Sequence, residues 1–317
     1  MNESNNSKKV LFYGCWPPPY GGIASHLYEL LPSLAKRNVE VYLAVNLEEG
    51  DMSYNFINGI HIYHYNHKKV FLANVFTVIY YFIIFFNKKK DLNFRDYLIQ
   101  ICHFIFMKKI IIKNDINNIF TYDNPRILIA PFIRKRFKNL NIFSTIYADF
   151  LINKIKYENI KSYLEDCFKS SNLILSCSKF CANSGKKYLN IDYPVKVIYN
   201  NVNPEIYSSL NDKTIIRKEN GISKDSIVLM TMCKMNHEMG IDFLLRIHKK
   251  ILAIDPRLVI FFVGAKDTLS NKIRKLSNLN KRISYSFNIS AEKKPFYFSC
   301  ADIFTAPTIG NHACMGI

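Results

Sequence analysis

Short apolar runs alternate with helix-patterned segments along almost the whole chain, and this alternation restricts the fold more than any other feature. "KKVLFYGCW" leads from two lysines into a short apolar strand. "IASHLYELLPSLAKRN" then places Ile23, Leu27, Leu30, Leu31 and Leu34 at helical spacing. "VEVYLAVN" reads as a second strand. Strand, helix and strand in that order make a parallel βαβ unit, because a parallel partner is reached only through a crossover. The order returns in the strand "SIVLMTMCK", the helix "GIDFLLRIHKKILAI" and the strand "RLVIFFVGA", then continues through "RISYSF", "KKPFYFSCA" and "DIFTAP". Between the halves, "NPEIYSSLNDKTIIRKENGIS" is polar and reads as a linker. The expectation is an α/β chain with residues 1–203 as one doubly wound domain, 204–222 as linker, and 223–317 as part of a second.

A length of 317 residues allows two separate cores, and 49% hydrophobic residues fit a globular protein rather than a disordered one. The net charge of +18 favours an anionic partner such as membrane phospholipid or a phosphorylated substrate. Nucleic acid is not expected, because no basic cluster interleaves with aromatics on one predicted face. Eight cysteines occur without a CxxC pair, which reads as reduced, mostly buried thiols and a cytoplasmic setting. The N-terminal "MNESNNSKK" is polar, with no apolar signal core behind it. His61, His64 and His67 in "IHIYHYNH" are spaced by three, which in a strand sends neighbours to opposite faces, so no metal site is expected.

The most apolar segment is "VFLANVFTVIYYFIIFF", residues 70–86, bounded by Lys68, Lys69 and Lys88 to Lys90. Seventeen residues lie at the lower edge for a membrane span, and Asn74 and Thr77 interrupt them. The segment is read as a buried or membrane-facing helix, and the flanking lysines imply peripheral attachment to the inner, anionic face of the cell membrane. A second mixed helix, "FRDYLIQICHFIFMKKIII", follows.

"FYGCWPPPYGGIASHLYEL" raises a different question. Three prolines stiffen the exit from the first strand, and Gly21 and Gly22 follow just before the first helix. A helix N-terminus carries unpaired N–H groups and partial positive charge, and glycine lets a phosphate approach the backbone closely. A rigid lip beside a diphosphate site and a plain strand-to-helix turn are equally compatible with this stretch.

With these motifs in order, the chain resembles the GT-B glycosyltransferases of the retaining family-4 type. "PPPYGGIASHLYELLPSLAKRNVEV" is similar to that family's opening loop and first helix, and "ILSCSKF" with "VKVIYNNVNPEIY" to its "S…V.VIPNGVD…F" passage, Asn201 standing where the family has glycine. "CKMNHEMGID" with "LVIFFVGA" resembles the start of its second domain, and "SCADIFTAP" its later "AD.F..PS". The resemblance implies two Rossmann-like domains, an acceptor-side one and a nucleotide-sugar-binding one. It implies transfer, with retention, of a sugar from a nucleotide-diphosphate sugar to a glycan or lipid-linked acceptor, as in polysaccharide biosynthesis. No cofactor or metal is implied beyond the nucleotide sugar, which is a substrate.

Site residues are carried over on the same basis. Lys234 matches the first member of the family's basic pair, usually arginine, and Met239 aligns with the second, usually lysine. Lys234 keeps the charge without the bidentate fork. Tyr147 stands near the family's first-domain histidine, with Asp149 after it, so Lys234, Asp149 and Tyr147 are the catalytic candidates. Gly21, Gly22, Lys234, Asn236, His237, Gly264, Pro307 and Thr308 are the donor-binding candidates. Asp123 is a further strand-end acid, and His26, inside the first helix, is read as packing. The family's acidic E-x7-E element has no counterpart, since no Asp or Glu follows Asp302. The second domain is therefore expected to be incomplete, and the alternative reading is a truncated or degenerate homologue that binds without turnover.

Overall fold

The structure is a computed structural model that describes residues 8–17, 22–85, 92–122, 126–146, 158–200, 202, 204–207 and 213–308. The chain divides into two compact units at a boundary between Asn201 and Val202.

The first unit is built on eight strands: β1 (Lys8–Gly14), β2 (Val39–Asn46), β3 (Ser53–Ile57), β4 (Ile60–Tyr65), β5 (Asn118–Thr121), β6 (Asn141–Ile146), β7 (Leu173–Ser176) and β8 (Val195–Val197). Their spatial order is β3-β4-β2-β1-β5-β6-β7-β8, and every pairing is parallel except β3–β4. Its helices are α1 (Gly22–Ala35), α2 (His67–Ala73), α3 (Val75–Phe85), α4 (Phe94–Asn114), α5 (Ala130–Arg136), α6 (Lys161–Lys169) and α7 (Lys179–Leu189). Successive residues of a strand point to opposite faces, and here each face has its own core. Leu11 and Tyr13 join a large cluster with Ile101, Phe104 and Phe168, whereas Phe12, Val41 and Leu43 join another with Leu27 and Leu31 of α1. The runs look continuously apolar because both faces are covered.

The second unit contains α8 (Lys213–Glu219), β9 (Ile227–Lys234), α9 (Ile241–Leu252), β10 (Leu258–Ala265), α10 (Ser270–Leu279), β11 (Ile283–Phe287), α11 (Lys294–Ser299) and β12 (Ile303–Phe304). Its four-stranded sheet has the order β11-β10-β9-β12, all parallel. It too is covered twice: Ile260 and Phe262 pack with Leu244 and Ile273, and Phe261 and Val263 pack with Tyr297 and Cys300.

Three segments differ from the sequence reading. The polar stretch 204–222 is not all linker: α8 lies within it, and Arg217 of α8 is buried in the second unit. Polarity misled here because one charged side chain is fully hydrogen-bonded inside. Residues 70–85 of the expected helix do not make one helix, since α2 and α3 meet at a bend of 100°, and Phe86 lies outside the described residues. Asn74 makes the break, with its amide donating to the Val70 carbonyl at 2.8 Å. Among the described residues no single helix is long and apolar enough to cross a membrane. Finally, β3 is a strand where none is expected from the sequence. It pairs antiparallel with β4 across Asn58-Gly59, where Asn58 sits at φ 53°. An Asn-Gly pair with positive φ is the usual signal for a two-residue hairpin, and the exposed edge strand it serves lacks the apolar pattern used elsewhere.

Candidate functional site

Open parallel sheets bind ligands beyond the carboxyl ends of their strands. In the second unit this rim is made by the segments after β9, β10, β11 and β12. Lys234 is the last residue of β9, in register with Ala265 of β10. It is exposed, and its ammonium has no hydrogen bond or ion pair with another described residue. The loop behind it is held by Asn236, whose amide donates to the Asp267 carboxylate at 2.9 Å and whose Oδ1 accepts the Met239 N–H at 3.1 Å. Both ends of the Asn236 side chain are thus engaged in shaping the loop.

Two glycines bring the strand ends together. Gly264, near the end of β10, has φ 132°, and a Cβ there would lie 2.1 Å from the Cys233 carbonyl oxygen. Gly240, at the N-cap of α9, has φ 70°, and a Cβ would lie 1.8 Å from the Pro307 carbonyl oxygen. L side chains avoid this backbone region, so close approach and conformation both require glycine. The segment carrying Pro307 and Thr308 therefore lies against the start of α9. No side chain caps that start. Asp242 in its first turn offsets part of the helix's positive end. His237 Nδ1 is 3.7 Å and Arg246 Nη2 3.5 Å from the Asp242 carboxylate. Met239 is half-buried against the core that includes Met235, Ile241 and Leu244, so its position supplies packing and no charge.

Of the expected donor residues, the structure places Lys234, Asn236, His237, Gly264, Pro307 and Thr308 along this one rim. Gly22 opens α1 in the first unit, is exposed, and has nothing within 4 Å of a would-be Cβ. Packing does not explain that glycine. Gly21, Tyr147, Asp149, Asp123 and Asn201 lie outside the described residues.

The first unit has a rim of its own, where the sequence pointed to Gly22 but not to Arg126. Strand order reverses at β1, between β2 and β5. There Arg126, after β5, donates to the Cys15 thiol, after β1. Beneath lies a buried network. The Tyr65 hydroxyl meets His103 Nδ1 at 2.8 Å, and Tyr13 is in contact with both rings. Burial, with lesser contributions from His67 and Arg126, pushes the His103 imidazole down to about 3. Burial pushes the Tyr13 phenol up to about 12, against the effects of the Tyr65 hydrogen bond and Arg126. The network is therefore neutral at pH 7, and Arg126 is its bordering cation. The signal for Arg126 was its position just after a strand end, in "TYDNPR". His103 lay hidden in an apolar helix. His26 packs edge-on to Tyr122 at 6.0 Å, and burial lowers its basicity, which suits packing.

No family model matches the sequence, and no curated protein matches it. Solved structures do match. Sucrose-phosphate synthase from Thermosynechococcus elongatus is similar with TM-score 0.68 and 13% identity, covering 95% of this chain and 75% of that one. The catalytic domain of starch synthase IV from Arabidopsis thaliana, bound to ADP and acarbose, is similar with TM-score 0.66 and 12% identity, covering 95% and 78%. HepE from Anabaena, in complex with UDP and glucose, is similar with TM-score 0.64 and 12% identity, covering 94% and 73%. The fold is GT-B, with two Rossmann-like parallel-sheet units of which the second is the smaller.

Proposed function

We propose that this chain transfers a sugar, with retention, from a nucleotide-diphosphate sugar to a glycan or lipid-linked acceptor. The observation that carries the reading is Lys234, a cation with no partner among the described residues, at the carboxyl end of β9, on a rim that two glycines keep narrow and open to backbone approach. Proteins of the same fold have been solved with ADP and acarbose and with UDP and glucose. Breaking the bond between the anomeric carbon and the diphosphate sends the electron pair to the diphosphate oxygen. A cation already fixed near that oxygen stabilises the developing charge. Lys234 supplies it as a point charge, without the two-pronged geometry of arginine.

A second reading is binding without turnover. It is favoured by Met239, which fills the place of the second basic residue in the family that the sequence resembles and packs into the core instead. Calorimetric titration with UDP, ADP and GDP, paired with assays of the corresponding sugar donors, tests both. One nucleoside diphosphate is expected to bind, and Lys234→Ala is expected to weaken it roughly 10- to 100-fold, the usual value of a hydrogen bond to a charged group. Binding with no sugar release or transfer selects the second reading. Absence of binding to all three removes both.

A further inference from the structure

α3 is apolar all round but only half covered. Its inner face, Val78 and Tyr81 with Phe82 and Phe85, packs on Phe104, Tyr97 and Phe132. Its outer face presents Val75, Phe76, Ile79, Tyr80, Ile83 and Ile84 to solvent, at the i, i+1, i+4, i+5, i+8, i+9 spacing of one helical face. Phe76 is 89% exposed and Ile83 73%, and Leu72 at the end of α2 adds 74%. Single exposed apolar residues are ordinary, but a contiguous ridge of this kind marks an interaction surface.

The surroundings of the ridge are cationic. Lys109 reaches Asn74 at the start of α3 at 3.4 Å, and Lys108 reaches the Tyr81 hydroxyl at 2.7 Å. Lys135 donates to the Ile84 carbonyl at 2.8 Å and lies over the Phe85 ring, at the end of the helix where a cation suits the dipole. Neither α2 nor α3 contains an acidic residue. A second copy of the chain is a poor occupant, because a two-fold contact across α3 would set the lysines of one copy against those of the other. Eleven residues at 1.5 Å each give a helix of about 16 Å, well short of the roughly 30 Å of bilayer hydrocarbon.

We propose that the outer face of α3 seats the protein on an anionic lipid leaflet, with the helix in the plane of the interface and the surrounding lysines at headgroup level. Phe76, Ile79 and Ile83 enter the acyl boundary. Tyr80 presents a ring with a polar tip, the type of side chain that settles at that depth. The inference stands independently of the transferase reading, because it uses no residue of the second unit.

Co-sedimentation of the full chain with vesicles tests it. Phosphatidylcholine vesicles are compared with vesicles holding about one third phosphatidylglycerol, at low and high salt. Binding is expected only to the anionic vesicles and is expected to fall with salt. Phe76→Ser with Ile83→Ser should reduce it at least 10-fold, and Lys109→Gln with Lys135→Gln roughly 5-fold per charge removed. Both side chains of the serine variant are exposed, so its melting curve and nucleotide binding should match the parent. The proposal is overturned by no binding to anionic vesicles, by equal binding of the serine variant, or by salt-insensitive binding to both lipids. It is also overturned by a dimer in sedimentation velocity that the serine variant disperses without any vesicle binding, which would make a second copy the occupant.

Discussion

Two cations of the second unit stand in opposite situations. Arg217 on α8 is 2% exposed and uses its whole guanidinium. It donates to the Cys300 carbonyl from Nε and Nη2, to the Lys224 and Ser226 carbonyls from Nη1, and to the Asp302 carboxylate at 2.7 Å. Lys234, in the same unit, is exposed and bonds to none of the described residues. Burial alone would raise the Asp302 carboxyl, but the Val228 N–H, Arg217 and Lys213 outweigh it and hold the group below the usual carboxylate range. Arg217 therefore belongs to the fold, tying α8 to the segment that leads from α11 into β12. Lys234 makes no such tie among the described residues, and the proposed function gives it to a ligand. A cation's role is decided by whether its hydrogen-bonding capacity is already filled, not by its charge.

The largest effect should come from breaking the filled site. Arg217→Met is expected to cost about 3 kcal/mol, because it leaves the buried Cys300 carbonyl and the Lys224 and Ser226 carbonyls without their donors, and a buried polar group left unsatisfied costs about 1–3 kcal/mol. Urea unfolding measures it, and an unchanged midpoint would abolish the contrast. Next, Lys234→Ala should leave the melting curve where it is and lower the proposed sugar transfer about 100- to 1000-fold. A Lys234→Ala protein that melts early would place the lysine in the fold after all. Gly264→Ala sharpens the picture between these extremes. Its backbone strain is worth about 1–3 kcal/mol, and the β-carbon would press on the Cys233 carbonyl, so both stability and nucleotide binding should fall. Thermal melts and titration should move together.

The smallest effect, taken over a single pH unit, concerns the first unit and pH. His103 is held at about 3 inside the fold, against 6.5 for an ordinary histidine. Below about pH 6.5 the unfolded chain takes up a proton that the native state refuses. Stability is therefore full above that pH and falls as pH drops toward 3, by up to about 1.4 kcal/mol per pH unit. His26, His64 and His67 are lowered too, each chiefly by burial, and add to the slope. Replacing His103 with Asn, which keeps a partner for Tyr65, should flatten the pH dependence of unfolding between pH 6.5 and 5. An unchanged slope would show that His103 is not the group responsible.

The sequence determined the parallel α/β class and most of the strand–helix order, because local hydrophobic spacing fixes which residues must be covered. Lys234, Gly264 and Pro307 were named through the family resemblance, and the structure sets all three at the ends of apolar strands or just beyond them; their part in donor binding is the proposal. Tertiary structure decided what depends on distant partners. Arg217 reads as solvated until Cys300 and Asp302 arrive from more than 80 positions away. His103 reads as one polar residue in an apolar helix until β4 brings Tyr65 to it. The run 70–86 is apolar on every side, so spacing could not say which side would be covered. Packing against α4 covers one face of α3 and leaves the other in solvent, because Phe104 and Tyr97 supply rings for only one side of the helix.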